Sequence, residues 1–288
     1  IPTYMKPKEV KRALDSVFLQ TFTDYEIIIT DNSPDETIKN IVCRYPKEKL
    51  NYVKNSPPLT MTENWNKAIK RAKGDFIKIL FSDDWFTYKD SLVQFVKLLD
   101  ENPNVDFAFS GSLNVKKTGD WTHDMSQEQF IEIMHDPCFL FMGNYIGSPS
   151  ATIYRHNGIE FDNNLKWLVD LEFYIRFLQK NKNFTYTTKP LVSIGISDAQ
   201  VTNNCVTNKD LNVFEYSYVY KKFGLHINKR YRQYLLNILT RYNASFLDSK
   251  KVGIKYPEYC VFRIKSILQI MEGHCRQIVK KFGKVSLK

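Results

Sequence analysis

The sequence predicts an α/β protein, a doubly wound and mostly parallel sheet flanked by helices, followed by a helical C-terminal appendage. Three observations predict it. Short apolar or β-branched runs alternate with segments of helical spacing in the order β-α-β-α-β-α-β over about the first 110 residues, the pattern of a parallel sheet. Two of the runs, Tyr25–Thr30 and Phe76–Phe81, lead into acids: Asp31 after the first, Asp83-Asp84 after the second. Beyond Asn203 the strand-like runs give way to Tyr- and Leu-rich stretches at helical spacing.

In chain order, Ile1-Pro2-Thr3-Tyr4 reads as the end of a strand, and Lys8–Gln20 puts Val10, Leu14, Val17 and Phe18 on one helical stripe. Ser33-Pro34-Asp35-Glu36 has the form of a capping box opening a helix with Ile38, Ile41, Val42 and Tyr45 inward. Leu50–Val53 is a third strand. Thr60-x-x-Glu63 opens a helix with Trp65, Ala68, Ile69 and Ala72 inward, and Gly74 ends it. Phe76–Phe81, too short for a helix, reads as a buried strand. A helix carrying Leu92, Phe95, Val96 and Leu99 stops before Pro103, and Val105–Phe109 is a further strand. Residues 113–160 are less regular: Ser126-x-x-Gln129 caps a short helix, and Gly147–Arg155 is a loop entering a strand. Trp167–Leu178 is apolar almost all round, so this helix belongs in the interior, with Glu172 and Arg176 four apart and able to pair.

The chain has 288 residues, enough to bury a sizeable core, and its 43% hydrophobic and 14% aromatic content excludes disorder. No apolar run is long enough to cross a membrane, and no signal peptide opens the chain. The five scattered cysteines lack C-x-x-C, which favours free thiols in a reducing compartment, and the five histidines form no zinc-type pair. The net charge of +10 is uneven. From Lys221 onward there are 16 Lys/Arg against 3 Asp/Glu, whereas the preceding 220 residues sum to −3. No nucleic-acid recognition motif accompanies the basic tail, so nucleic acid is not the expected partner. Its apolar faces with basic flanks, as in Val261–Met271, fit either a packed appendage or a helix lying on an anionic membrane.

In an open α/β sheet, ligands bind outside the carboxyl ends of the strands. The sheet lacks G-x-G-x-x-G and a P-loop, so a phosphate there must be held by side chains and a cation. The adjacent carboxylates Asp83 and Asp84 are hard oxygen ligands suited to Mn²⁺ or Mg²⁺ shared with substrate phosphates. Asp170, in the apolar helix, has no partner one turn away; a desolvated carboxylate there suits a general base or, equally, a structural acid.

Pro2-Thr3-Tyr4, Ser16-Val17-x-x-Gln20-Thr21-Phe22, Glu26-Ile27-Ile28-Ile29-x-Asp31-Asn32-Ser33, Asn64-x-Asn66, Ala72-x-Gly74-Asp75 and Ser82-Asp83-Asp84 follow one another in an order that resembles the family 2 glycosyltransferases of the GT-A fold. The resemblance covers roughly residues 1 to 200 and is of the bacterial surface-polysaccharide type. It implies a donor site of Pro2, Thr3, Tyr4, Asp31 on the uracil base and Asp83 near the ribose or donor sugar. It further implies Asp84 on the divalent ion and Asp170 as the base that deprotonates the acceptor hydroxyl. Ser148, Arg176, Ser197 and Asp198 fall where the acceptor side or a lid is expected. Three departures stand out: Phe81 replaces a further Asp, Val169 replaces a Glu, and no His occurs near Gly195–Thr202.

The expected architecture is a nucleotide-sugar-binding half (1–112), an acceptor-binding half (113–204) and a basic helical region (205–288). The expected activity is inverting transfer from a nucleoside-diphosphate sugar, most simply a UDP-sugar, to a glycan or lipid-linked acceptor. The expected setting is cytoplasmic, with peripheral contact at the inner face of the membrane. A sugar-nucleotide nucleotidyltransferase would share sheet and ion but opens with a Gly-rich basic loop, and Tyr4–Glu9 has no Gly. A non-catalytic sugar- or partner-binding protein of the same fold is the other alternative.

Overall fold

Two residues, Pro2 and Thr3, form β1 and run parallel to β2 (Ile27–Asp31), with Thr3 opposite Asp31. On the other side β2 pairs in parallel with β3 (Leu50–Lys54), which sets Asp31 opposite Lys54. The computed structural model describes residues 1–197 and 200–264. The expectations for Asp198 and for the tail beyond residue 264 therefore lie outside the described residues. The chain divides into two compact units, Ile1–Asn203 and Asn204–Lys288.

In the first unit, α1 (Pro7–Phe18) and α2 (Thr37–Val42) are the crossovers of this parallel sheet, and α3 (Met61–Arg71) follows it. A second sheet is built from β4 (Phe76–Ile77), β5 (Trp85–Phe86), β6 (Phe107–Val115), β7 (Trp121–His123), β8 (Thr152–Arg155) and β9 (Phe184–Gly195). Its order is β4-β8-β6-β9-β5, with β7 on β6. The helices between these strands are α4 (Ser91–Asp100), α5 (Gln127–His135) and α6 (Val169–Lys180). β6 and β9 are parallel; β8 against β6 and β5 against β9 are antiparallel. The α/β fold class holds, with the second sheet mixed. β6 runs through the division expected at 112/113.

Local chemistry accounts for most boundaries. Pro7 opens α1, and its stripe Val10, Leu14 and Val17 is buried. Thr60 with Glu63 and Ser126 with Gln129 form complete capping boxes at α3 and α5. The box expected at Ser33-x-x-Glu36 does not form. The Ser33 hydroxyl accepts from Met5 N at 2.7 Å instead, and α2 begins at Thr37, whose N–H bonds Asp35. The strand expected over 76–81 ends at Ile77. Beyond it lies a cavity of about 1110 Å³ lined by Ile27, Ile28, Ile79 and Phe86 among others, not a partner strand. Phe81 N consequently donates to Ser150 Oγ at 2.9 Å.

One apolar core joins α1, β2, α2 and α4 through Val10, Leu14, Ile29, Ile38, Phe95 and Leu99. A second, aromatic layer seats α6 on the other sheet: Phe107 lies 5.6 Å from Tyr174 and 5.3 Å from Phe177, and Tyr154 lies 5.4 Å from Phe173, centroid to centroid. Such pairs add about 0.5–1.5 kcal/mol each beyond their area. α6 buries nearly its whole circumference, as its composition predicts, including Glu172. That carboxylate takes a two-pronged bond from Arg176 at 2.7 and 3.0 Å, and Arg176 also bonds the Glu160 carbonyl at 2.6 Å.

In the second unit, α7 (Val201–Thr207) spans the division, followed by α8 (Lys209–Lys222), α9 (Lys229–Arg241), α10 (Phe246–Lys251) and a helical stretch over 256–264. Val219 and Tyr220 of α8 and Tyr231, Leu235 and Leu239 of α9 are buried. Arg232 reaches Glu258 at 2.6 Å. Leu247, Tyr256, Val261 and Ile264 stay exposed. Among the described residues, no helix is long and apolar enough to cross a membrane.

Because Glu172 is fully buried and Arg176 supplies its charge partner, Arg176→Ala is expected to destabilise the first unit by about 3 kcal/mol. Denaturant unfolding followed by far-UV circular dichroism measures it; a loss below about 1 kcal/mol would mean the pair is not what holds α6.

Candidate active site

The parallel ladder delivers Asp31 to the carboxyl end of β2, beside the end of β1. Its side chain is fully buried. Ser33 N and Tyr52 OH both donate to it at 2.7 Å, and the Lys54 ammonium lies 3.6 Å away. Tyr52 and Lys54 are two apart on β3, so they share a face of the strand and reach the same carboxylate. Burial and the bond to Asp31 push the Tyr52 phenol upward, keeping it a donor. Thr3 is buried and Tyr4 is 59% exposed.

The two acids after β4 have opposite surroundings. Asp84 is 2% exposed and receives Gly195 N at 3.2 Å and the Ser150 hydroxyl. Burial and, second, the neighbouring Asp83 raise its pKa to about 7. Lys78, whose ammonium donates to the Ser150 and Ile79 carbonyls, is lowered by burial to about 7. Asp83 keeps a partly exposed carboxylate and pairs with Lys6 at 2.9 Å. Arg12 of α1 bonds the Asp83 carbonyl at 2.8 Å and lies 3.7 Å over the Trp85 ring. Both Met5 and Lys6 have φ of 56°, a left-handed pair that turns the loop after β1 toward this carboxylate.

Asp170 sits in the first turn of α6, half-buried. Asn144 Nδ2 donates to its Oδ2 at 2.7 Å and Leu171 N to its Oδ1 at 2.9 Å. One of its bonds thus comes from its own helix and one from the turn 144–147.

These groups form one connected run. Asp31 bonds Ser33, Ser33 bonds Met5, Lys6 bonds Asp83, and Asp84 bonds Ser150. Ser150 N bonds Ser148 Oγ, which adjoins the turn that Asn144 closes on Gly147. The loop after β1 thus links Asp31 to Asp83, and the segment 144–150 bonds Asp170 at one end and meets the Asp83-Asp84 stretch at the other, where Phe81 N reaches Ser150. Ser148 serves this segment only by capping the turn at Pro149–Ala151. Arg176 is engaged by the Glu172 carboxylate and the Glu160 carbonyl. The Ser197 carbonyl closes the turn after β9, accepting from Gln200 N and Asn203 Nδ2, both at 3.3 Å.

The assignment of the ion to Asp84 meets a buried, hydrogen-bonded acid; Asp83 is the carboxylate of the pair with a face to solvent. Lys6, Arg12, Tyr52, Asn144 and Ser150 were not anticipated. The polar Asn144 within Gly143–Gly147 and the serine two beyond Ser148 were the visible signals. Among the described residues no three His, Cys, Asp or Glu side chains gather as a self-sufficient metal cage. An ion here fits as one shared between Asp83 and donor phosphates.

A family model described as glycosyl transferase family 2 matches residues 1–187. An uncharacterized glycosyltransferase of Methanocaldococcus jannaschii is 26% identical over 188 residues, covering 63% of this chain and 64% of the relative. The Staphylococcus aureus poly(ribitol-phosphate) beta-N-acetylglucosaminyltransferase TarS is 29% identical over 209 residues, covering 66% of this chain and 35% of TarS. The matches thus span less than two thirds of these relatives. Among solved structures, S. aureus TarS 1-349 in complex with UDP-GlcNAc aligns with a TM-score of 0.63 at 20% identity, over 92% of this chain and 77% of that one. The mannosyltransferase PcManGT of Pyrobaculum calidifontis, in complex with GDP-Man and Mn²⁺, aligns with a TM-score of 0.56 at 14% identity, over 93% and 79%. At those identities the structural likeness is one of fold, and it agrees with the GT-A architecture of the first unit. With the family model covering well over half of its length, the chain belongs to glycosyl transferase family 2.

Proposed function

We propose that this glycosyltransferase transfers a sugar, with inversion, from a UDP-sugar to a hydroxyl of a glycan or lipid-linked acceptor, in the building of cell-envelope polysaccharide. The observation that carries this reading is the connected run from Asp31 through Asp83 to Asp170. TarS, named for N-acetylglucosamine transfer and solved with UDP-GlcNAc, supports a UDP-N-acetylhexosamine as the first donor to try.

In this reading Asp31, held in place by Tyr52 and Ser33 N, accepts from the imide N–H of uracil, and Tyr4 with Pro2 and Thr3 forms the rest of the base and ribose site. Asp83 is the residue that would hold Mn²⁺ or Mg²⁺ together with the diphosphate, and Asp84 is the buried post that fixes it. When bound, the ion supplies Lewis-acid neutralisation of the diphosphate charge. Lys6 and Arg12 add positive charge on the same side. Asp170 takes the acceptor proton as the acceptor oxygen bonds the anomeric carbon and the bond to the diphosphate breaks, one displacement that leaves UDP and the inverted glycoside.

The donor screen is the direct test: UDP-, GDP-, dTDP- and CMP-sugars with Mn²⁺, read by nucleotide release and by calorimetry. Turnover is expected with a UDP-sugar; turnover with none of them overturns the reading. Asp170→Asn should keep donor affinity and lose about 10²–10⁴-fold in turnover. Asp83→Asn should weaken Mn²⁺ binding, measured by electron paramagnetic resonance with UDP present, whereas Asp84→Asn should chiefly lower the melting temperature. The reverse pattern would return the ion to Asp84.

A Cβ on Gly195 would come within 2.5 Å of the Asp83 carbonyl oxygen and 3.1 Å of Arg12 Nη2. Gly195→Ala is therefore expected to cost about 1–3 kcal/mol of stability and to weaken donor binding, with calorimetry and thermal melts as the checks. Unchanged UDP affinity would separate this strand end from the donor site.

Membrane contact belongs to the same proposal. Exposed Leu247, Tyr256, Val261 and Ile264 share a stretch with Lys250, Lys251, Lys255 and Arg263, and each basic residue near an anionic bilayer contributes about 1 kcal/mol. Sedimentation with phosphatidylglycerol vesicles should capture the full chain at low salt and release it at high salt; no capture at low salt would leave the region as scaffold.

A further inference from the structure

We propose that Asn144 is the positioning residue for Asp170: its carboxamide, locked onto the Gly147 peptide, sets the carboxylate rotamer that receives the acceptor proton. The inference rests on the reading of Asp170 as the base. The Asn144 side chain is engaged at both ends. Its Oδ1 accepts from Gly147 N at 2.9 Å, while Nδ2 donates to Gly147 O at 3.0 Å and to Asp170 Oδ2 at 2.7 Å. Both amide hydrogens are thus used. Turning the amide over would face Oδ1 against two acceptors, Gly147 O and Asp170 Oδ2, and NH₂ against the Gly147 N–H, so one orientation alone satisfies the network.

The turn that carries Asn144 is itself fixed. Gly147 has φ of 94°, where a side chain is strained, and an added Cβ would lie 3.1 Å from the His123 ring. Tyr174, one helical turn after Asp170, donates to Gly147 O at 3.1 Å. The helix bearing the base is therefore bonded to the turn at two levels, and Tyr174 is fully buried against Phe107.

This arrangement matches what a general base needs. A carboxylate turns freely about its last torsion, whose preferences are broad. A fixed N–H on one oxygen removes that freedom, the part played by the third member of a catalytic triad. The donor is neutral, so this bond orients the carboxylate without itself adding a positive charge. Small misplacements of a reacting group can cost 10²-fold in rate.

The test is a double-mutant cycle on turnover, using the UDP-sugar fastest in the donor screen. Asn144→Ala is expected to lower kcat about 10–100-fold and leave the donor Kd within about twofold. Asn144→Ser keeps a hydroxyl that can accept from Gly147 N but offers Asp170 no amide N–H; it should lose turnover while melting near wild type, and it carries the test if the alanine variant folds poorly. In the Asp170→Asn background, Asn144→Ala should cause little further loss, since a residue acting through Asp170 has nothing left to orient. An equal loss in both backgrounds, or turnover within twofold of wild type in the single variants, overturns the proposal and leaves Asp170 in place as the base. Wild-type turnover of Asp170→Asn would overturn the base reading itself.

Discussion

The buried carboxylate of Asp84 is the constraint on which the site depends. Taking an ionised acid out of water costs several kcal/mol unless bonds replace its hydration. Here they come from the Ser150 hydroxyl and Gly195 N–H, with the charge of Lys78 nearby. Ser150 belongs to the turn entering β8 and Gly195 to the end of β9, so satisfying this one acid pins three chain segments that are distant in sequence. Burying Asp84 leaves Asp83 to face the partly exposed side, where Lys6 pairs with it. The raised pKa of Asp84 is the residual cost of that burial, with Asp83 as a second contributor.

The loop after β1 carries the complementary cost. Two successive non-glycine residues in the left-handed region, Met5 and Lys6, are unfavourable by about 1–2 kcal/mol each. The bond from Met5 N to Ser33 and the ion pair from Lys6 to Asp83 offset it, and both partners belong to the run from Asp31 to Asp83. Strain of this kind persists where its surroundings over-determine it. It also explains why Ser33 gives up its helix cap: its hydroxyl is worth more holding the loop that joins the donor acids.

Elements whose signal is local were legible in the sequence. The capping boxes at Thr60 and Ser126, the stripe of α1 and the all-round burial of α6 follow from spacing alone, and the acids Asp31, Asp83 and Asp84 were found by their position after strands. What spacing could not disclose was which neighbour each strand takes. Phe76–Phe81 reads as a full strand, yet only Phe76 and Ile77 find a partner in the ladder. Nor could it divide the labour between Asp83 and Asp84, which differ in environment and not in type. Asp170 looked partnerless because periodicity sees only its own helix; Asn144 lies 26 residues earlier, in a turn. Arg176 illustrates the converse. Its i,i+4 relation to Glu172 was plain, and that pairing, with the Glu160 carbonyl, leaves it a structural role.

The two sides of the site rest on different kinds of support. Asp31 is aimed by strand register, Thr3 against Asp31 and Asp31 against Lys54, where a slip of one residue would turn each side chain to the other face. Asp170 stands on a helix sunk in an aromatic layer, and its carboxylate is bonded from the turn at 144–147 through the Asn144 side chain. Turns of that kind accept substitution far more readily than a ladder does. Under the proposed function, a change of acceptor is accommodated by re-forming the 144–151 segment around α6, while a change of donor base must be made at β2 and β3, where Tyr52 and Lys54 reach Asp31 and where the core permits least.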